Sequence, residues 1–441
     1  MNKRWPQSCV AALLVAMLGA LAAPAQADPP SRVMQLSHAS GSVSFQPSAS
    51  DDWLRATPNR PLVPGDALWV DDGARAELRT TGAALRLREH TSVELLNLDD
   101  RIAQVRLSQG TLILSIRRLG AGQVIEIDTP NLAFRPDRPG LYRIDVAPGG
   151  EWTDVTTRRG VARAFGDGRA FTLAEGRTVR FHGTDLADHE RFALAPSDEF
   201  DRWSNERDRR WERSVAARYV SPDLIGYEDL DEHGRWHRHA QYGSVWIPAH
   251  VAVGWVPYRD GHWAWIEPWG WTWIDDAPWG FAPSHYGRWT RVDTAWAWVP
   301  GPVRMRPVYA PAMVQFVGGS GGHVSASLSI GGVAAVAWFA LGPQEVYRPA
   351  YAVSPGYLRA VNVGNSLIPA ARITNVTVNV TNVYVNARQG ALVAMPSSDF
   401  VGSRPVRAAA LNVAPQDMLR APAANRRNRS TASPPERPGG H

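Results

Sequence analysis

Apolar and polar positions alternate with period two through the first half of the chain. Gly41-Ser-Val-Ser-Phe45, Leu85-Arg-Leu87, Val93-Glu-Leu95, Val105-Arg-Leu107 and Val124-Ile-Glu-Ile127 each present one side of an extended segment to a core. Turn signals separate them: Pro64-Gly65-Asp66 stands before Ala67-Leu-Trp-Val70, and Asp71-Asp72-Gly73 before Ala76-Glu-Leu78. Strand centres recur about every 8–12 residues, the spacing of sandwiches, barrels or β-solenoids. Near Ser197 the period changes. Phe200, Trp203, Arg207, Trp211 and Val215 fall at helical spacing, and Pro222 stops the pattern. This predicts a connecting helix over 197–219, N-capped by Ser197, with Phe200, Trp203, Trp211 and Val215 packed on a neighbour.

Beyond that helix the chain repeats itself. Gly234-Arg-Trp236, Gly261-His-Trp263 and Gly287-Arg-Trp289 open three units of about 26 residues. Each unit returns through a second aromatic run: Trp246-Ile-Pro248, Trp271-Thr-Trp273-Ile274 and Trp296-Ala-Trp298-Val299. Strand alternation puts Trp263 with Trp265 on one face, and Trp271 with Trp273 on one face. The first reading is that these indoles are the core of a module poor in Leu and Ile. Burying one Trp is worth roughly 4–6 kcal/mol as an upper bound. The second reading is an aromatic platform for a ligand, with Trp255, Tyr258, Trp263, Trp265, Trp271 and Trp273 as candidates. On the first reading Trp271 and Trp273 are core, while Trp255 and Tyr258, beside Pro257 at a turn, are partly exposed.

After Gly301 the pattern is β-rich again. Val317–His323 is a glycine-rich connection without the Lys-Ser/Thr ending of a phosphate loop. Val333–Phe339 reads as a buried strand, and Thr374–Val380 alternates cleanly. From Ala408 the composition of Ala, Pro, Asn and Arg predicts a disordered tail.

Composition narrows the class. The 19 Trp, 38 Gly and 34 Pro fit a mainly β protein with many turns. Lys3 and Arg4, an apolar run from Val10 to Ala23 and Ala25-Gln-Ala27 have the layout of a cleavable secretory signal, cut after Ala27. The run is shorter than the roughly 20 residues of a comfortable span, so no integral membrane segment is expected after cleavage. Taking Lys3 and Arg4 from the 47 basic residues leaves 45 against 42 acidic, which does not suit a nucleic-acid partner. The single cysteine, Cys9, lies in the leader, so the mature chain has no thiolate ligand or disulfide. A periplasmic or secreted location is expected.

Two family resemblances follow from particular motifs. The run WLRATPNRPLVPGDALWVDDGARAELR from Trp53 to Arg79, then LSQGTLILSI and IDTPNLAFRPDRPGLYRIDV, resembles the FecR domain. The resemblance implies an all-β, solenoid-like stack of short strands placed outside the cytoplasm. Classical regulators of that kind also have a cytoplasmic segment and a membrane helix, whereas this N-terminus reads as a cleaved leader. From residue 200 to 407, motifs such as GWVPYRDGHWAWIEPWGWTWIDDAPWGFAPSHYGRW are similar to a domain family of unknown function that follows FecR domains in proteobacterial proteins. That resemblance implies domain order and no catalytic residues.

The resulting plan is a signal over 1–27, a FecR-like β domain over 33–183, the helix over 197–219, and the Trp-rich repeat over 224–302. A β-rich region follows over 303–407, then a tail over 408–441. Chemistry is sparse. His233, His237, His239 and His250 gather without a cysteine or an H-E-x-x-H pattern, so no metal is assigned. Glu267 beside Trp265 and Trp269, with Asp275 or Asp276, could imitate a glycosidase pair. Ser284-His285 adjacency is not a triad. The expectation is an exported, non-enzymatic envelope protein without cofactor that binds or scaffolds a glycan or a protein. An envelope signalling component and a glycan-active enzyme are the alternatives.

Overall fold

The computed structural model describes residues 28–413 except 49, 318–323, 325–327 and 374–383. The expected leader, the Thr374–Val380 strand and most of the tail therefore lie outside the described residues. The chain is mainly β.

The strands from Met34–Ser40 to His189–Ala193 form two facing sheets that share one strand. In the first sheet the order is His189–Ala193, Arg177–His182, Trp152–Arg159, Gly140–Val146, residues 110–116, Ala83–Leu87, Arg75–Thr80, Met34–Ser40 and Pro61–Leu62. In the second it is Leu54–Arg55, Val43–Gln46, Ala67–Val70, Thr91–Leu98, residues 102–109, Val124–Asp128, Ala133–Pro136, Ala162–Gly166 and Arg169–Leu173. The long strand Ile102–Ile116 passes from one sheet to the other at Gly110. Gly110 has φ +92°, and a Cβ there would lie 2.5 Å from Thr91 Cα, so only glycine makes the bend. Thr91 fastens the bend: its hydroxyl accepts from Thr111 N (3.0 Å) and donates to Thr111 O (3.2 Å).

Alternation explains the core between the sheets. Val93 and Leu95 from one sheet meet Leu112, Leu114, Tyr142 and Ile144 from the other, and all are buried in one cluster. Every pairing in this part is antiparallel except Val124–Asp128 on Ile102–Arg106. The stack of short strands is thus built as facing sheets rather than as parallel coils.

The helix is shorter than its sequence pattern, spanning Glu199–Arg213. Asp198, not Ser197, is the N-cap, and it forms a capping box with Asp201 (2.8 and 3.0 Å). Its buried face is largely polar: Asp201, Ser204 and Asp208 join Phe200, whereas Trp203 and Trp211 are half-buried and Val215 is exposed. The reason lies in the sheet beneath. Buried Glu77 accepts from Arg79 (2.7 Å), Arg86 (2.8 Å) and Arg207 (2.6 Å). Arg86 also holds Asp208 (2.7 Å) and Ser204 (2.7 Å), and Ser115 donates to Asp208 (2.9 Å). Helix and sheet are joined by an ion network, which the apolar periodicity of the helix does not reveal.

A second core holds the Trp-rich repeat and the C-terminal third together, from Ala216 to Val406. Val33 and Val63 of the N-terminal part enter this second core. The seam is also polar. Asn59 Nδ2 donates to the carbonyls of Asp275 (3.0 Å) and Ala277 (2.7 Å), and Arg79 reaches Glu228 (3.1 Å) and Asp229 (2.7 Å). Tyr309 N donates to Ser31 O (3.0 Å), and the Asp28 carboxylate accepts from Ser354 N and Oγ (2.6 Å each). Val333–Ala340 is a strand as expected, buried from Ala335 onward. Residues 408–413 remain against the last sheet through Leu411 N to Ala394 O (2.8 Å).

Candidate functional site

Each repeat unit is one β-hairpin. The strands are Gly234–His239 with Gly243–Pro248, Gly261–Ile266 with Gly270–Asp275, and Arg288–Val292 with Ala295–Val299. In all three, the first tryptophan stands directly opposite a second: Trp236 with Trp246, Trp263 with Trp273, Trp289 with Trp298. The opening glycine accounts for the motif. A Cβ at Gly234 would lie 2.5 Å from Trp246 Cζ2, at Gly261 2.6 Å from Trp273 Cζ2, and at Gly287 2.7 Å from Trp298 Cε2. The returning indole lies over the glycine, leaving no room for a side chain. Each of these three indoles is fully buried and donates its N–H: Trp246 to Leu230 O (3.0 Å), Trp273 to Asp275 Oδ2 (2.9 Å), Trp298 to Tyr286 O (2.8 Å).

The first and third hairpins join through Trp246 and Trp298 into one four-stranded sheet. The second stands apart, with Trp273 N donating to Pro311 O (3.0 Å). Both its faces are covered. Trp263 packs on Trp338 (5.4 Å), Phe316 (5.1 Å) and Phe400 (5.7 Å), while Ile266, Thr272 and Ile274 are buried on the other side.

The six candidate platform residues divide sharply. Trp263 and Trp273 are core. Tyr258, expected partly exposed at its turn, is core as well: its hydroxyl donates to Ser284 O (2.7 Å) and accepts from Met313 N (3.1 Å). The φ of +61° at Tyr258 turns the side chain inward rather than out at the Pro257 turn. Trp255 is half-buried between Trp279 (5.8 Å) and Trp289 (5.6 Å). Trp271, expected as core, is half-buried against Phe400 (4.5 Å). Trp265 is 55% exposed, although it shares a strand face with Trp263. That face leaves the cover of Phe316 and Trp338 as the hairpin runs toward its turn. Of the fourteen tryptophans from Trp203 to Trp298, Trp265 is the one that is exposed.

The surroundings of Trp265 are ordered. Its Nε1 donates to Glu267 Oε1 (3.3 Å), and its ring meets Trp271 edge to face (5.6 Å, 87°). Gly270, with φ +79°, lies against the six-membered ring: a Cβ there would be 3.2 Å from Cη2. Cross-strand pairing sets Trp265 opposite Trp271.

A family profile described as a family of unknown function (DUF6600) matches residues 227–345. The matched span contains the three hairpins and the strand Val333–Ala340 that covers the second. No curated protein matches. Two solved structures of a candidate anti-sigma factor from Parabacteroides distasonis ATCC 8503 are similar at 13% and 12% identity, each with a TM-score of 0.26. The matches cover 29% of this chain and 59% of that one, so the chain spans less than two thirds of the solved structures.

Of the carboxylates the sequence singled out, Glu267 and Asp276 are exposed and Asp275 is buried. Glu267 is exposed in the turn of the second hairpin, and Asp275 is at its base. Asp275 is buried, accepting from Trp273 Nε1, Ala277 N (3.0 Å) and Ser284 Oγ (3.4 Å). Burial lifts its carboxyl to about 7, with Asp276 and Asp260 adding. His285 is also buried, with Nδ1 on Ala310 O (2.8 Å), and burial lowers it to about 4. Among the described residues, no three His, Cys, Asp or Glu side chains are grouped to hold a metal ion, and no helix is long and apolar enough to cross a membrane.

Proposed function

We propose that this chain is an exported, non-enzymatic protein of the cell envelope that binds or scaffolds an envelope component, a glycan or a protein. One observation carries the reading: the repeat uses its indoles for packing and leaves Trp265 alone displayed, pinned in place beside Glu267. A surface that holds a rigid aromatic ring out to solvent is suited to binding. Glu267 is exposed at the turn of the hairpin while Asp275 is buried at its base, which does not favour a hydrolytic pair. Asp275 is occupied by three internal hydrogen bonds, which supports a structural role. The charged start, apolar run and Ala25-Gln-Ala27 favour export with cleavage after Ala27.

The test has two arms. The protein is recovered from a periplasmic fraction and its N-terminus sequenced; a chain starting at Asp28 is expected, and one retaining Met1 in the cytoplasm sinks the export reading. The purified chain is then assayed against a panel of glycosidic substrates and screened on a glycan array and against envelope proteins. Turnover of any glycan would end the non-enzymatic reading.

A further inference from the structure

The three hairpins are copies of one pattern, and the pattern shows where the second departs from it. Two residues after the opening tryptophan, the first unit carries Arg238 and the third Arg291. Arg238 is exposed, and Arg291 lies over the ring of Trp296 (5.0 Å), its cross-strand partner. In the second unit the equivalent residue is Trp265, opposite Trp271. The fold is met at this position by an arginine in two copies out of three, exposed in the first and half-buried on Trp296 in the third. Packing therefore does not require the indole. Exposing so large an apolar ring carries a solvation cost that arginine avoids.

Local geometry makes the ring a seat rather than a loose side chain. It rests on Gly270, meets the perpendicular Trp271 and is tied at Nε1 to Glu267. Beneath it, Trp271 continues through Phe400 to Trp263 in the core, so the platform is rigid. A carboxylate in hydrogen-bonding reach of the ring's edge is placed to accept from groups at the rim of something lying on the ring.

We infer that Trp265, with Glu267 and Trp271, forms a single-pyranose subsite for a neutral glycan. The apolar C–H face of the sugar stacks on the Trp265 indole, and a hydroxyl at the sugar rim donates to Glu267. An equatorially substituted pyranose matches this layout because its hydroxyls project from the rim while its faces are largely apolar. This inference rests on the envelope-binding reading above and gives it a site and a ligand class.

The decisive variant is Trp265→Arg, which restores the residue type of the other two units and so preserves the fold. The full mature chain is titrated by calorimetry with β-1,4-linked N-acetylglucosamine tetramer, cellotetraose and tetramethylammonium. Saturable binding of at least one tetrasaccharide is expected, weakened about tenfold or more by Trp265→Arg and less by Glu267→Gln. Trp53→Ala, at the chain's other exposed tryptophan among the described residues, is expected to leave binding unchanged. Binding of tetramethylammonium without sugar overturns the inference in favour of a cationic ligand. No sugar binding at millimolar concentration overturns it, as does sugar binding indifferent to Trp265→Arg. If sugars fail while an identified envelope protein binds the exported chain, this subsite falls and the broader reading stands. A cytoplasmic, uncleaved chain defeats the broader reading, and the titration still judges the subsite.

Discussion

Replacing Gly261 by alanine sets a methyl group 2.6 Å from Cζ2 of Trp273 and against the carbonyl oxygen of Ile274. Neither obstacle can retreat. Trp273 is fully buried, bonded to Asp275 and edge-on to Trp263 (5.4 Å) and Tyr258 (5.8 Å); Ile274 is held by strand pairing to His262. Gly261 is not in the left-handed region, so the backbone itself tolerates alanine and the cost is steric. Overpacking a rigid site costs about 3 kcal/mol, and the lower chain entropy of alanine in the unfolded state offsets about 0.4–1 kcal/mol of it. The net expectation is a loss of about 2 kcal/mol, or roughly 4–8 °C in Tm for a unit of this size. Gly234→Ala, facing Trp246 in the same way, should match it. Urea unfolding followed by near-ultraviolet circular dichroism of the indoles measures both. Two variants as stable as the parent would refute the idea that the glycine is there to seat the returning indole.

Trp273→Ala should cost about 3–5 kcal/mol and Trp265→Ala less than about 0.5, a contrast that denaturant midpoints resolve; equal losses would mean Trp265 is structural. Glu77→Gln leaves Arg79, Arg86 and Arg207 without their shared anion and is expected to cost about 3–5 kcal/mol, again by urea unfolding; a cost under about 1 would show the network to be dispensable. Burial pushes the Glu77 carboxyl up, but the fields of Arg79, Arg86 and Arg207 outweigh it and hold it well below the usual range. Its contribution is therefore present above the ordinary glutamate value and lost as pH falls through the lowered one. Asp275 runs the other way. Its carboxyl is raised to about 7, so the folded state favours the protonated form, and stability falls as pH rises from about 4 through 7. The drop should approach about 4 kcal/mol, and Asp275→Asn should flatten it; parallel pH profiles for parent and variant would count against the assignment.

Much of this architecture was legible in the chain, for identifiable reasons. Period-two alternation marked the strands of the two sheets because each has one face on a shared core, as at Val93, Leu95, Leu112 and Leu114. The Gly-x-Trp openings marked the three hairpins because glycine and indole must meet. What stayed hidden depends on contacts distant in sequence. The pattern of the helix cannot show that Arg86 and Glu77 await Asp208 and Arg207, and its periodicity extends to Val215, which joins no packed face. The exposure of Trp265 was hidden for the same reason. Its strand face is set by local alternation, but how far that face is covered is set by Phe316 and Trp338, 51 and 73 positions further along the chain. One signal was available: aligning the three units shows Arg, Trp and Arg at one position.

The tie between Asp28 and Ser354 spans 326 positions, and the bond from Tyr309 to Ser31 closes nearly as long a loop. The strands of the first two sheets find all their pairing partners before residue 194, so that body can assemble while the rest of the chain is still being made. Ser31, Arg32 and Val33 already find Asp100, Asp99 and Thr80 within that body, whereas the Asp28 carboxylate waits for Ser354. Asp28 is thus secured later than its neighbours, and loop closure over such a separation is slow. A chain truncated before Ser354 should keep a folded first body, with Ser31 and Arg32 still bonded to Asp100 and Asp99 and only Asp28 released. The two cores are joined in stages: Arg79 and Asn59 engage Glu228, Asp229, Asp275 and Ala277 first, and the Asp28 clasp closes last.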